Sequence, residues 1–581
     1  MIKCNESAAA EEQVKLNQTN NNNGKQYRQK RQYNDGIKSK FPLFHWSICI
    51  TLTIGFIVTI LLCVMFHMIK STQENNLRCK DDDKKTNVND ENDDENQFNY
   101  GEQTNEMRRK FVKQMTLEAW NEYCTYAWKH DSLNPISNEP YDDEIGFGSG
   151  RTIVSALSTL WIMDLGQEFH HAKEWVENEL SFAPKINNSK VTLHFALTEY
   201  VGSLLSIYAL TNDWMFVVKA IELADTIMPE LINPNGLLFD KLNFTNLYSN
   251  NPIDVNMFLW TATQSLEFAY LSYITGNQKY VNQIHSYRSI FDQILKQFDT
   301  NGYRFETNYL LHFSKVFRQN HSDLDAFDLW NRSANVMETI ENKILERSRT
   351  GLYYIRDYDY ELVGRSNWME FDSCTLNSLL SLGSRSYRQI VWRNWTKTIE
   401  SHQLLEHARQ RLMLAIELTE TCRQASIRSR TGLPPARFYF TNLDDATNKK
   451  GDDRFKQFYL NPELAESYYT MYQLTMNPIY REYAWDLVQA IYRHCRLING
   501  SYTTITNVEW DKHNNKFQQQ QQSIEMSVNL QPSYLIGATF KYLYLIFDDD
   551  TNHNGKFQFE SWIFNSMGQP LPILNNNIGR T

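Results

Sequence analysis

The sequence predicts an all-α fold in which helices follow one another as hairpins. Long segments of its main body carry apolar residues at i, i+3 and i+4, the spacing of one helix face, whereas the alternation typical of strands is scarce. The helical pattern is clearest in four segments: Ala172 to Leu180, Val201 to Leu210, Met257 to Leu271 and Leu404 to Cys422. A ring of helix pairs is the simplest architecture that fits this pattern.

A short recurring connector supports the hairpin arrangement. Each copy closes a helical segment with Gly or Asn near the C-cap, and another aromatic-rich helical segment follows within a few residues. The copies are Leu210–Asp213, Ile274–Asn277 and Leu474–Asn477. We therefore expect stacked helical hairpins that are joined by tight turns.

One segment near the N-terminus is predicted to span a membrane. No Lys, Arg, Asp or Glu lies between Lys40 and Lys70, and Trp46 to Phe66 can cross a hydrocarbon core of about 30 Å at about 1.5 Å per residue. A cleaved signal peptide fits poorly, because the segment starts late and lacks a small-residue cleavage site. Basic residues precede the segment and acidic residues follow it, which predicts a cytosolic N-terminus and a type II orientation.

These features divide the chain into four regions. Residues 1–43 are polar and lack apolar periodicity, which predicts a disordered cytosolic tail. A signal anchor over 44–69 and an acidic lumenal stem over 70–108 follow. One large helical domain is predicted over 109–576.

Charge and sequence motifs fit a secretory-pathway protein. The net charge is −10 and no long basic stripe occurs, so nucleic acid is not an expected partner. Six Asn-X-Ser/Thr sequons follow the membrane segment, at Asn187, Asn243, Asn320, Asn331, Asn394 and Asn499. Five cysteines follow it as well, in a compartment that permits disulfides: Cys79, Cys124, Cys374, Cys422 and Cys495.

Several blocks of the helical domain carry recognisable motifs. The opening block Ala119–Asp131 reads AWNEYCTYAWKHD, and Ser155–Met163 reads SALSTLWIM. Further blocks follow along the chain: Gly202–Ser206, Pro462–Ser467, Thr539–Leu543, Phe564–Ser566 and Pro570–Pro572. In this order and spacing the blocks resemble glycoside hydrolase family 47, the class I α-1,2-mannosidases, in which the second block reads D-A-L-D-T-L-W-I-M.

The resemblance implies an (α/α)7 barrel of helical hairpins. It also implies removal of α-1,2-linked mannose from high-mannose N-glycans in the endoplasmic reticulum or Golgi, with Ca²⁺ at the bottom of the barrel. The implied mechanism is inverting, which needs two carboxyl groups about 6.5–9.5 Å apart, one to protonate the leaving oxygen and one to activate water. The function therefore depends on which of the family's acids this chain keeps.

One motif has lost its acid. In F-E-x-T-I-R the Glu is a candidate general acid and the Arg binds sugar; alignment without gaps places Phe195 and Glu199 at these positions. A misaligned acid at Glu199 is the competing interpretation. In G-A-R-A-D-S-[YF], which supplies the other candidate acid, Asp325 is the better match and Asp323 the alternative. A helix-capping or solvated Asp is an equally good explanation of either residue.

Other motifs keep their packing residues but lose most of their acids. Among the replaced acid, His and Arg positions are Ser155, Ser158, Trp260, Phe371, Ala436, Asn461, Pro532 and Ala538. The retained acids are Glu267, Glu463 and Glu466, and Glu463 falls on the family's catalytic base position. The resemblance further implies a Cys374–Cys422 disulfide, worth about 4 kcal/mol on the chain-entropy model.

The calcium motif is altered too. In F-N-T-E-x-H-P the calcium-binding Thr becomes Ser566, and Met567 and Gln569 replace the Glu and the His. Because Ca²⁺ prefers 6–8 oxygen ligands, we expect calcium binding to be weak or absent.

The sequence therefore favours a membrane-anchored, mannosidase-like protein that binds high-mannose N-glycans or glycoproteins, or regulates an active paralogue, with little or no catalysis. The alternative is an active, calcium-dependent mannosidase that uses Glu463 as base and Asp325, Asp323 or Glu199 as acid.

Overall fold

Helices dominate the computed structural model, which describes residues 104–573 with gaps. The longer gaps are 183–189, 229–240, 244–264, 284–337, 448–454, 511–526 and 550–556. Among the described residues no helix combines the length and apolarity needed to cross a membrane. The predicted anchor at 44–69 lies outside these residues, as do the tail and most of the stem.

The helices follow one another in pairs along the chain. Thr104 caps the first of them, accepting the Met107 N–H at 3.3 Å. In chain order the helices are α1 Asn105–Tyr126, α2 Arg151–Ile162, α3 Gly166–Asn178, α4 Gly202–Thr211, α5 Trp214–Ile227, α6 Ser265–Thr275, α7 Thr375–Asn394, α8 Ile399–Ile427, α9 Glu463–Thr475, α10 Ile479–Cys495 and α11 Phe540–Leu545. Helices α4 and α11 each continue a π-helical turn, Phe195–Val201 and Leu535–Thr539 respectively.

Short antiparallel strands lie between the helices. Among the described residues, twelve of the strands form two-stranded antiparallel pairs, whereas β9, β10 and β11 form a three-stranded sheet. In chain order the strands are β1 Ser132–Asn134, β2 Glu139–Tyr141, β3 Lys190–Thr192, β4 Lys241–Asn243, β5 Leu345–Arg347, β6 Tyr353–Ile355, β7 Tyr358–Asp359, β8 Gly364–Arg365, β9 Trp368–Glu370, β10 Arg437–Phe440, β11 Asp445–Thr447, β12 Thr504–Ile505, β13 Ser527–Val528, β14 Trp562–Phe564 and β15 Pro570–Pro572. The sheet and the β14–β15 hairpin carry residues of the candidate site.

The predicted connectors end three helices in the same way. Helices α4, α6 and α9 stop at Thr211, Thr275 and Thr475, and each Thr hydroxyl donates to the carbonyl four residues earlier, at 2.6–2.7 Å. The next residue is left-handed in each case: Asn212 at φ 58°, Gly276 at 68° and Met476 at 55°. An Asp or Asn two residues after the Thr then accepts the N–H that starts the next chain segment. The hairpin prediction is confirmed at all three connectors.

These matched connectors give a stability prediction. Met476→Gly should raise the free energy of unfolding by about 1 kcal/mol, because a left-handed φ is costly for any residue with a Cβ. Met476 is 60% exposed, so little packing is lost. Gly276→Ala is the matched control and should lower it by a similar amount, since a Cβ there meets nothing within 4 Å. Denaturant unfolding of both variants measures this; shifts of the same sign would contradict it.

A disulfide ties α8 to the start of α7. Cys374 and Cys422 are bonded, with their Cα atoms 6.1 Å apart, and both are buried. The predicted pairing is therefore confirmed. It fixes the segment that leads from β9 into α7, and this segment carries Phe371 and Asp372.

A buried carboxylate fixes the first turn of α2. Asp131 accepts the backbone N–H groups of Gly148, Ser149 and Arg151 at 3.0–3.2 Å and the Tyr200 hydroxyl at 3.1 Å. Charged and polar groups this deeply buried are normally satisfied in this way. Asp131 thereby holds the backbone from which the Arg151 side chain extends.

Candidate active site

A cavity of about 390 Å³ opens where β9, β10 and the segment before α9 meet. Its lining is largely aromatic, with two amide and two acidic side chains. The lining residues are Glu370, Phe371, Asp372, Pro434, Ala436, Phe455, Gln457, Phe458, Tyr459, Asn461 and Tyr534. A concave, mostly apolar pocket with a few polar groups is the usual form of a small-ligand site.

Three of the replaced motif positions line this cavity together. Phe371, Ala436 and Asn461 stand where the resemblance implies a His, a Glu and an Arg. The backbone N–H of Phe371 donates to the Ala436 carbonyl at 2.9 Å, and its ring meets Phe458 edge-on at 6.4 Å. A His and a Glu that could bind a sugar or a proton are thus replaced by the apolar side chains of Phe371 and Ala436. The Arg is replaced by the neutral amide of Asn461.

Two of the three retained acids, Glu463 and Glu466, lie at the start of α9. Glu463 is partly exposed and follows Asn461 by two residues. Tyr534 is held by its hydroxyl, which donates to the Tyr459 carbonyl at 2.9 Å. Burial, and next the nearby negative charge of Glu463, raises the pKa of Tyr534, so its hydroxyl stays protonated. Glu463 thus follows the lining residue Asn461 in the chain and influences the lining residue Tyr534, without itself lining the cavity.

Glu466 lies one helical turn further along α9. Burial raises the pKa of its carboxyl group to about 8, and a 3.4 Å hydrogen bond from Thr375 opposes that shift only in part. Glu466 is therefore mostly protonated near neutral pH, and it does not supply a full negative charge to the site.

A buried ion pair occupies the position of the sugar-binding Arg. Glu199 is 1% exposed and Arg151 is 7% exposed, with Arg151 Nε 3.7 Å from Glu199 Oε2. The Ser533 hydroxyl also donates to Glu199. The Arg151 guanidinium lies over the ring of Phe195, with Cζ 5.0 Å from its centroid. We call these three residues, Arg151, Glu199 and Phe195, the Arg151 cluster. Its members Phe195 and Glu199 occupy the motif positions at which the family has the acid and the Arg.

Burial, opposed by Arg151, raises the pKa of Glu199. A raised pKa is what a general acid needs. Glu199 is nevertheless enclosed by Arg151 and Ser533, and such enclosure restricts the access of a ligand to its carboxyl group.

A protein-family model matches most of the helical region. Glycosyl hydrolase family 47 matches residues 115–326 and 308–573. The chain belongs to glycosyl hydrolase family 47.

Curated relatives and a solved structure agree with the family assignment. The chain is 31% identical over 500 residues to mannosyl-oligosaccharide alpha-1,2-mannosidase IA of Spodoptera frugiperda, covering 80% of this chain and 67% of that protein. It is 29% identical over 500 residues to the enzyme named IA of Sus scrofa, covering 81% and 68%. The alpha-1,2-mannosidase from Trichoderma reesei superposes with a TM-score of 0.64 at 17% identity, covering 81% of this chain and all of that one. This likeness, with the helical structure, shows the (α/α)7 fold.

The calcium of the family does not fit the residues that this chain offers. Ser566 is exposed and is followed by Met567, whose thioether is a poor ligand for a hard cation. The acid positions nearby hold Ser155, Ser158 and Ala538, which are buried and carry no charge. Among the described residues no three His, Cys, Asp or Glu side chains are arranged to hold a metal ion.

The family's remaining buried acid is held by an amide instead. Glu267 is 1% exposed, and the Asn565 side chain donates to its Oε1 at 2.7 Å. Burial raises the pKa of Glu267 to about 7. The same Asn565 amide donates to the Thr198 carbonyl at 2.8 Å, so it joins the π-helical turn that carries Glu199 to the β14–β15 hairpin.

Some predicted site residues lie outside the described part of the chain, namely Asp323, Asp325 and Trp260. Their assignments stay predictions. Of the others, Glu463 lies beside the cavity, whereas Ser566 lies on the β14–β15 turn.

Motif comparison alone missed Arg151 and Asp372. Arg151 is the one charged residue in α2, a helix that is otherwise buried and uncharged, and this contrast was a signal that it needs a buried partner. Asp372 replaces the apolar residue of the family's M-x-H-L-x-C-F motif, and an acid at an apolar motif position was likewise visible in the sequence.

Proposed function

We propose that this family member is a type II membrane protein of the endoplasmic reticulum or Golgi whose lumenal domain binds high-mannose N-glycans or glycoproteins with little or no mannosidase activity. The relatives named above act on mannosyl-oligosaccharides, as their names state. The family therefore supports a role in N-glycan processing, and the site chemistry supports binding over hydrolysis.

The observation that carries the proposal is the Arg151 cluster. Phe195 has no proton to transfer, and the position of the sugar-binding Arg is occupied by a carboxylate that is already paired inside the protein. General acid catalysis alone is worth about 10²–10⁴-fold in rate. Its loss would weaken protonation of the leaving oxygen, one of the two steps that an inverting mechanism assigns to carboxyl groups. The loss of the sugar-binding Arg would weaken orientation of the substrate as well.

The cavity itself remains suited to a sugar. Its aromatic rings offer apolar faces to the C–H surface of a pyranose, and the side chains of Gln457 and Asn461 can exchange hydrogen bonds with hydroxyl groups. Tyr459 is 39% exposed and lines the cavity, so its ring is accessible to a ligand.

Glycan binding is tested with the full-length chain in detergent and an immobilised Man9 N-glycan. Tyr459→Ala should weaken binding about tenfold, since one ring contact is worth about 1.4 kcal/mol. The variant keeps the backbone carbonyl that accepts from Tyr534. Tyr126→Ala is the control, a residue of similar exposure (40%) on α1 and not part of the cavity lining. Absence of binding, or equal weakening in both variants, would refute the proposal.

An active mannosidase is the second candidate. Two observations favour it: Glu463 is retained beside the cavity, and the pKa of Glu199 is raised as a general acid requires. In that case Glu463 would activate water, and Asp325, Asp323 or Glu199 would protonate the leaving oxygen. Mannose release from a Man9 N-glycan decides between the two candidates.

A further inference from the structure

The turn between β14 and β15 is held by hydrogen bonds of its own. The side-chain oxygen of Asn565 accepts the backbone N–H groups of Met567 and Gln569, both at 2.9 Å. The backbone N–H of Gly568 donates to the Asn565 carbonyl at 3.0 Å. Gly568 has a φ of +66°, and a Cβ there would lie 2.7 Å from the Cβ of Ala538. The turn is therefore tightly closed and packed directly on the helical turn behind it.

Gln569 joins this turn to α2. Its side chain is fully buried, and its Nε2 donates to the Ser155 carbonyl at 3.1 Å. Its Oε1 accepts the Ser158 hydroxyl at 2.7 Å and lies 3.3 Å from Lys541 Nζ. Both ends of the amide are thus used within the protein.

Lys541 completes the contacts. Its Nζ donates to the Gly568 carbonyl at 2.7 Å. Two oxygens of the turn that could coordinate a cation, Gln569 Oε1 and the Gly568 carbonyl, therefore already accept donors from the protein. A calcium ion held by the hydroxyl and carbonyl of Ser566 would have to displace these donors, or take its remaining ligands from water, to reach the 6–8 oxygens that it prefers.

We infer that the network of Asn565, Gly568, Gln569, Ser158 and Lys541, the β14–β15 network, holds the β14–β15 turn against α2 and α11 without a divalent cation, so that folding of this domain is independent of calcium. The inference goes beyond the proposed function, because it holds whether or not the cavity binds a glycan. It also predicts that this chain differs from the calcium dependence that the family resemblance implies.

Thermal unfolding of the full-length chain in detergent tests the inference. The Tm measured in millimolar calcium should equal the Tm measured in a chelator. A ligand that binds the folded state, in large excess over its Kd, would raise the Tm instead. Ser158→Ala, which removes the hydroxyl that donates to Gln569, should lower Tm equally in calcium and in chelator.

Ser566→Ala is the matched control, because Ser566 is exposed and stands at the family's calcium-binding position. Its Tm should equal that of the unaltered chain in both solutions. A calcium-dependent rise in Tm that Ser566→Ala abolishes would overturn the inference, and so would an unchanged Tm in Ser158→Ala.

Discussion

Arg151→Met is expected to lower the free energy of unfolding by about 3–5 kcal/mol, the range for removing one partner of a buried ion pair. The change leaves Glu199 buried beside the Ser533 hydroxyl that donates to it, and deprives its carboxylate of the nearest positive charge. The pKa of Glu199, already raised by burial, should rise further. Urea unfolding of the full-length chain measures the effect.

A double-mutant cycle separates the ion pair from simple loss of packing. Glu199→Gln keeps the shape of the side chain, and Arg151→Met/Glu199→Gln should be more stable than the sum of the single effects predicts. The two residues are in contact, so a coupling free energy of about 0.5–3 kcal/mol is expected. Additive effects would show that Arg151 and Glu199 do not act as a pair, and would contradict the Arg151 cluster as a coupled unit.

The helical connectors were predictable because their cause is local. A Thr hydroxyl, a left-handed residue and an Asx cap lie within four consecutive positions, and all three copies use the same contacts. The Cys374–Cys422 bond was predictable for another reason, since the resemblance carried both cysteines with their motifs. Neither inference needed knowledge of how distant segments pack.

The content of the site was harder to predict. Motif comparison showed that Phe195 and Glu199 replace functional residues. It did not show which side chains pack against them in the folded protein. The side chain that pairs with Glu199 is Arg151, which precedes it by 48 positions on another helix and approaches it only in the folded chain. Likewise, the contact of Gln569 with Ser158 joins residues 411 positions apart. Long-range pairs between single polar residues leave no periodic pattern in a sequence.

The Arg151 cluster and the β14–β15 network share a physical feature. In both, a residue at a polar position of a family motif contacts another polar side chain inside the protein: Glu199 contacts Arg151, and Gln569 contacts Ser158. Polar groups that are paired in the interior make it more rigid. This arrangement favours a fixed interior over groups that are free to bind a substrate, a proton or an ion.

The most direct test of impaired catalysis is mannose release from a Man9 N-glycan, read by mass spectrometry with the full-length chain in detergent, with and without Ca²⁺. An active family member serves as positive control. We predict no release, because Phe195 replaces a candidate general acid, a group worth about 10²–10⁴-fold in rate, and Glu199 replaces the orienting Arg. Calcium-dependent release that Glu463→Gln abolishes would contradict the account and establish an active mannosidase.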